Sequence, residues 1–140
     1  RKSLRKSPAL FEGRVLGILS DATAFALSMT TGALLWSVSV HSSHVVGLDF
    51  GFSVSGEGIL IGEAGPTEPG LHIGNDVWAV NATDGSFLWN FTPDAGVWNF
   101  LPYFVGDGTI VFQDWDGGAY RLKASDGEVV WRVGGGVGGT

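Results

Sequence analysis

Large and small residues alternate along three short stretches of the chain, and each stretch runs into a polar turn that ends in glycine. Phe25 and Leu27 alternate with Ala24 and Ala26, Trp78 and Val80 with Val77 and Ala79, and Tyr120 and Leu122 with Ala119 and Arg121. A period of two belongs to a pleated strand, whose successive side chains point to opposite faces. One face then carries bulk and the other little, so the bulky face of one unit can fill the shallow face of the next. The turns close on Thr31-Gly32, Asp84-Gly85 and Asp126-Gly127. Glycine reaches positive φ without steric cost, which makes Asp-Gly a hairpin signal. A second strand follows each turn. Alternation predicts Leu34, Trp36 and Val38 on one face, with Phe87, Trp89, Phe91 and Val129, Trp131, Val133 in the matching places. Each stretch therefore reads as a β-hairpin closed by a buried indole.

Aligned on Gly32, Gly85 and Gly127, the hairpins bring Trp36, Trp89 and Trp131 into register, at spacings of 53 and 42 residues. Self-similarity at about 40–50 residues marks blade-type repeats. A weaker repeat lies upstream at residues 11–20, 55–63 and 105–114, each a turn followed by an apolar strand. Short apolar stretches at 8–10, 48–54 and 100–104 precede these and complete a unit of four strands. The fold expected is all-β: a partial β-propeller of about three four-stranded antiparallel blades. Blade one covers 8–40, blade two 41–91 and blade three 92–133, between a basic linker at 1–7 and a glycine-rich tail at 134–140. Residues 64–75 (AGPTEPGLHIGN) hold two prolines and three glycines and read as a loop inserted between the second and third strands of blade two. An insertion in one repeat maps to one face of the assembly, often the binding face.

Three blades are too few to close a ring of typically about four to eight. The chain is therefore expected to be a segment of a larger propeller or to self-associate, with the outer faces of blades one and three uncovered and Trp131 or its neighbours exposed. Glycine, at 23 of 140 residues, has roughly double its usual share without a collagen-like period. Zero cysteines exclude disulfides, cysteine-ligated zinc and a cysteine nucleophile. No run of 18 apolar residues reads as a transmembrane helix, so no membrane span is expected. Arg1, Lys2, Arg5 and Lys6 hold four of the eight cations, while the remaining 134 residues carry four cations against 14 acids, a net of about −10. A body this acidic repels phosphate backbones, which argues against nucleic acid as a partner.

The repeated phrase resembles the tryptophan-docking motif of the pyrroloquinoline-quinone (PQQ) repeat propellers, Ala-x-Asp-x-x-Thr-Gly-x-x-x-Trp. The first copy supplies Ala26, Thr31, Gly32 and Trp36, with Ser28 in the Asp position. The second supplies Ala79, Asn81, Gly85 and Trp89, with Asp84 for Thr; the third keeps Gly127 and Trp131, with Arg121 and Lys123 where Ala and Asp belong. The resemblance implies that each tryptophan packs on the neighbouring blade, so that Gly32, Trp36, Gly85, Trp89, Gly127 and Trp131 are structural docking residues. It also implies a periplasmic or other extracytoplasmic location. Propellers of this kind include quinoprotein alcohol and glucose dehydrogenases and a lipoprotein scaffold of outer-membrane assembly. The dehydrogenases use a vicinal cysteine pair over the quinone, often with calcium ligands, and this chain has no cysteine.

Propeller topology gathers the loops at 21–23, 39–47, 64–75, 92–99 and 114–118 on one face. His41 and His44, three residues apart, could share an ion with His72 or Glu68 as a third ligand. Solvated loop histidines are the plainer reading of the same spacing. Trp115 could stack on a planar cofactor such as PQQ, with Asp114 or Asp116 as base or calcium ligand, or the segment could be an Asp-Gly turn beside a rim aromatic. Asn81-Ala82-Thr83 and Asn90-Phe91-Thr92 match the glycosylation sequon, and Asn81 is expected to serve its turn instead. The leading expectation is a non-catalytic PQQ-like repeat segment, without a cofactor, that offers its loop face to a protein or small ligand. The alternative is a fragment of a PQQ-dependent alcohol or sugar dehydrogenase, an oxidoreductase that would need PQQ with calcium.

Overall fold

The computed structural model describes residues 7–41, 51–64, 76–97 and 100–134. Twelve strands and no helix occur among them. The first sheet holds β1 (Ala9–Phe11), β2 (Arg14–Ile18), β3 (Thr23–Ser28) and β4 (Leu34–Ser39). The second holds β5 (Phe52–Val54), β6 (Ile59–Ala64), β7 (Asp76–Asn81) and β8 (Phe87–Phe91). The third holds β9 (Tyr103–Phe104), β10 (Thr109–Gln113), β11 (Ala119–Lys123) and β12 (Val129–Val133). Each is a four-stranded antiparallel meander paired in sequence order. The first strands of neighbouring sheets meet, β1 against β5, which sets them on the inner side of the arc. This is a β-propeller arc of three blades.

The blades stack bulky face into shallow face. Between the first two, Ala24, Ala26, Leu16 and Ile18 of blade one receive Trp78, Val80 and Leu60 of blade two, all buried. Between the next two, Val77, Ala79 and Ile61 of blade two receive Tyr120, Leu122, Ile110 and Phe112 of blade three. Phe112 and Tyr120 stack with ring centroids 5.1 Å apart, and Phe91 meets Tyr120 edge-on. Bulk against bulk would hold the sheets apart, whereas alanine opposite tryptophan lets them close to interior packing density. Gly62 serves the same end, since a Cβ there would lie 2.4 Å from the Trp78 ring.

The fourth strands depart from simple alternation. A bulge falls at the same place in every blade, between Ala26/Leu27, Ala79/Val80 and Arg121/Leu122. Trp36, Trp89 and Trp131 consequently pair with Ala26, Ala79 and Arg121, whereas Leu34, Phe87 and Val129 pair with Leu27, Val80 and Leu122. The expectation that Leu34, Trp36 and Val38 share one face is corrected here. The extra residue of a bulge shifts the alternation by one, and Leu34 belongs with the bulky set and is exposed. The indoles also differ among themselves: Trp89 is buried, Trp36 half-buried and Trp131 40% exposed. Trp131 lies on the uncovered end of the arc. Beside it Arg121, in the place of Ala26 and Ala79, donates to the Thr109 hydroxyl and the Asp107 carboxylate.

Candidate functional site

Two regions of the arc carry specific polar geometry: the seams between blades and the loop face above them. At the first seam the Trp36 indole lies on Gly85, and its Nε1 donates to the Ala82 carbonyl at 3.1 Å. At the second, Trp89 lies on Gly127 and Nε1 donates to the Ala124 carbonyl at 2.8 Å. A Cβ at Gly85 or Gly127 would fall 2.6 or 2.7 Å from those rings. Each glycine also has left-handed φ, +76° and +74°. Glycine is therefore needed twice over, for the turn and for the ring. Asn81 sits in the first of these turns and accepts the Thr83 amide through its side chain.

On the loop face the residues 114–118 join β10 to β11. Asp114 is buried, and its Oδ1 accepts the amides of Gly118 (2.6 Å) and Asp116 (3.1 Å). Its Oδ2 accepts the Tyr120 hydroxyl (2.7 Å) and the Ala95 amide (3.3 Å). The Tyr120 hydroxyl in turn accepts the Asp94 amide at 2.9 Å. Burial, then the bond to Asp114, pushes the Tyr120 pKa up to about 12. The Trp115 amide donates to the Gly96 carbonyl, and the Trp115 residue stands 55% exposed above this network. The Asp94 carboxylate pairs with Arg132 at 3.3 Å. A carboxylate with about four acceptor positions, here all engaged, suits a loop brace and does not suit a calcium ligand. Asp116 contributes its amide to that brace.

His41 Nε2 lies 3.1 Å from Asp76 Oδ2, and the Thr92 hydroxyl donates to Asp76 Oδ1 at 2.6 Å. The end of β4 is thereby tied to β7 and to the residue after β8. His44 and His72, the partners expected for a shared ion, lie outside the described residues, as does Glu68. Among the described residues no three of His, Cys, Asp or Glu gather as a metal centre.

Sequence reasoning passed over Glu63. This carboxylate is 1% exposed at the end of β6, and Oε1 accepts the amides of Gly51 and Phe100 at 3.1 and 3.3 Å. It joins the entries to blades two and three where they touch, since a Cβ on Gly51 would lie 1.7 Å from the Phe100 carbonyl oxygen. The available signal was a single acid inside the apolar run ILIGEA. At the opposite edge of the same seam a shallow cavity of about 230 Å³ opens between Ser55, Glu57, Phe104 and Thr109.

Stacked four-stranded meanders locked by tryptophan on glycine define a repeat propeller with docking seams. The chain belongs to the PQQ-like repeat family, through a family model described as outer membrane protein assembly factor BamB that matches residues 5–139. No curated protein matches it by sequence. Among solved structures it is similar to BamB from Moraxella catarrhalis, at 19% identity and a TM-score of 0.68 over 93% of this chain and 36% of that one. The quinohemoprotein alcohol dehydrogenase ADHIIG from Pseudomonas putida HK5 matches at 18% identity and a TM-score of 0.67, over 91% of this chain and 20% of that one. The computationally designed protein Ika4 matches at 16% identity and 0.70, over 96% and 74%. The chain thus spans about a third of the length of that BamB and a fifth of that dehydrogenase. At these identities the likeness speaks for the fold alone.

Proposed function

We propose that this chain is part of a non-catalytic PQQ-like repeat propeller that works outside the cytoplasm as a protein-interaction scaffold, in the manner named for the matched family, assembly of outer membrane proteins. The observation that carries the reading is how the loop face is built. Three of its described acids and its described histidine are engaged with other protein groups: Asp114 holds four donors, Asp76 holds His41 and Thr92, and Asp94 meets Arg132. A general base or a metal ligand must keep a lone pair for the reacting group. What the face offers outward is Trp115 on a rigid backbone, and an exposed tryptophan on a fixed loop is a common anchor in protein interfaces.

The test opposes the scaffold to the quinoprotein. PQQ with calcium should neither raise the melting temperature of the protein nor give dye-linked oxidation of primary alcohols. A photo-cross-linking residue at position 115 should capture a protein from cell-envelope extract, and the same probe at an exposed outer-strand position such as Leu35 should not. Dye-linked oxidation on adding PQQ and calcium would replace the scaffold by the dehydrogenase reading.

A further inference from the structure

The turns that lead into the second strands differ between the two inner seams. At the first seam the Phe11 ring lies on Gly58, so that a Cβ there would fall 2.6 Å from it, and Phe11 packs against the core of that seam. At the second seam the matching glycine is Gly108. Ala124 N donates to Gly108 O as Ala82 N does to Gly58 O, and φ is +84° against +82°. Yet a Cβ on Gly108 meets nothing within 4 Å, and Gly108 is exposed where Gly58 is buried. The place of Phe11 falls in blade two to Ser55. Phe11 pairs with Arg14, the first residue of β2, and the Ser55 amide donates to Ile59, the first residue of β6. The cavity of about 230 Å³ is the room this exchange leaves, walled by Ser55, Gly56 and Glu57 of blade two and by Phe104, Gly108 and Ala124 of blade three. Both walls belong to blades that face each other across the seam, so neither end of the arc takes part in it.

We infer that this cavity is a docking seat for a phenylalanine or tyrosine side chain of a partner protein, carried beside a basic residue. Phe11 shows what the fold itself puts in this place: one aromatic ring over a left-handed glycine. The size agrees. Pockets for whole small molecules run to about 300–1,000 Å³, whereas about 230 Å³ takes a single ring. Phe104 supplies an aromatic wall and Ala124 an apolar one, and a ring in a fitted pocket is the usual anchor of a protein interface. Charge selects the neighbour of that ring. Glu57 stands exposed at the rim, in a chain of formal charge −6, so a lysine or arginine next to the ring is attracted and an acid repelled. The inference does not rest on the contact at Trp115, because these turns lie on the face opposite the loop face.

The test is fluorine NMR of the peptide acetyl-lysyl-4-fluorophenylalanyl-glycinamide with increasing amounts of the full-length protein, with circular dichroism to confirm the folding of each variant. Wild type should shift the signal in a saturable way. The unfluorinated peptide should compete, and its alanine analogue should not. Ser55→Phe fills the seat from within, as Phe11 does at the first seam, and should abolish binding. Gly56 lines the same cavity, with φ outside the left-handed region and open space around a Cβ. Gly56→Leu should therefore keep the fold and close the mouth, which decides the matter if Ser55→Phe does not fold. Glu57→Gln should weaken binding about threefold, as loss of a surface ion pair does. Leu35→Ala, at an exposed position on the outer strand, should leave binding unchanged. No saturable shift with wild type, or one that persists in either folded seat variant, would overturn the inference. So would phenethylammonium binding as tightly as the peptide, because the occupant would then be a small aryl cation and not a protein side chain.

Discussion

At the scale of single residues, equivalent tryptophans do unequal work because their surroundings differ. Trp89 is buried and bonded across a seam, whereas Trp131 faces solvent. Trp89→Ala should cost about 3–5 kcal/mol, as large aromatic truncations in a core do. Trp131→Ala should cost under about 1 kcal/mol when the chain is dilute, as substitutions away from the core do. Urea denaturation of both variants checks the contrast. Tyr120 predicts a pH dependence. Its pKa is raised by burial, and then by Asp114, from 10.0 to about 12 in the fold. The folded state thus holds the phenolic proton more tightly than the unfolded chain does. The resulting stability is complete below pH 10 and is lost as the pH climbs towards about 12. Tyr120→Phe should flatten this alkaline loss, which denaturant midpoints from pH 9 upward would reveal. An equally steep fall in the phenylalanine variant would contradict the assignment.

At the scale of elements, the hairpin between third and fourth strands is the part that repeats most faithfully. Three turns share φ and backbone bonds, while only two carry a ring. That difference separates two roles of glycine. Gly32→Ala should show the conformational cost of a Cβ at positive φ, somewhat above about 1 kcal/mol. Gly127→Ala carries the same cost and also forces Trp89 off its seat, adding the roughly 1–3 kcal/mol typical of overpacking. Thermal unfolding of the pair should rank them in that order, and equal losses would remove Trp89 from the Gly127 seat. Glu63 acts between elements too, because one carboxylate oxygen satisfies amides before both β5 and β9. Its acid form was visible in the sequence as a stray charge, but not the two amides it serves, which lie 12 and 37 residues away.

At the scale of the molecule, the arc is asymmetric: Gly32 stands at one end with open space above it, and Trp131 stands at the other, 40% exposed. The share of each relative that the chain covers, 36% of one and 20% of another, fits an arc that needs further blades to close.

The sequence by itself determined the all-β character, the four-strand repeat and its phase. These follow from local rules, since alternation, Asp-Gly turns and tryptophan spacing are properties of neighbouring residues. It also pointed to bulky-into-shallow stacking, because each repeat carries one large and one small face, while the structure decided that each blade receives the bulk of the one that follows it. The tertiary structure alone decided the partners. The bulge that parts Leu34 from Trp36 is not written in their alternation, and the Asp114 brace draws donors from Ala95 and Tyr120 as well as from its own turn. A carboxylate's chemistry depends on which donors already fill it, and those arrive from strands distant in the chain. That is why Asp114 reads in sequence as a ligand and in the fold as a brace. It is also why Gly32 and Gly127, alike in sequence and in φ, differ in what stands above them.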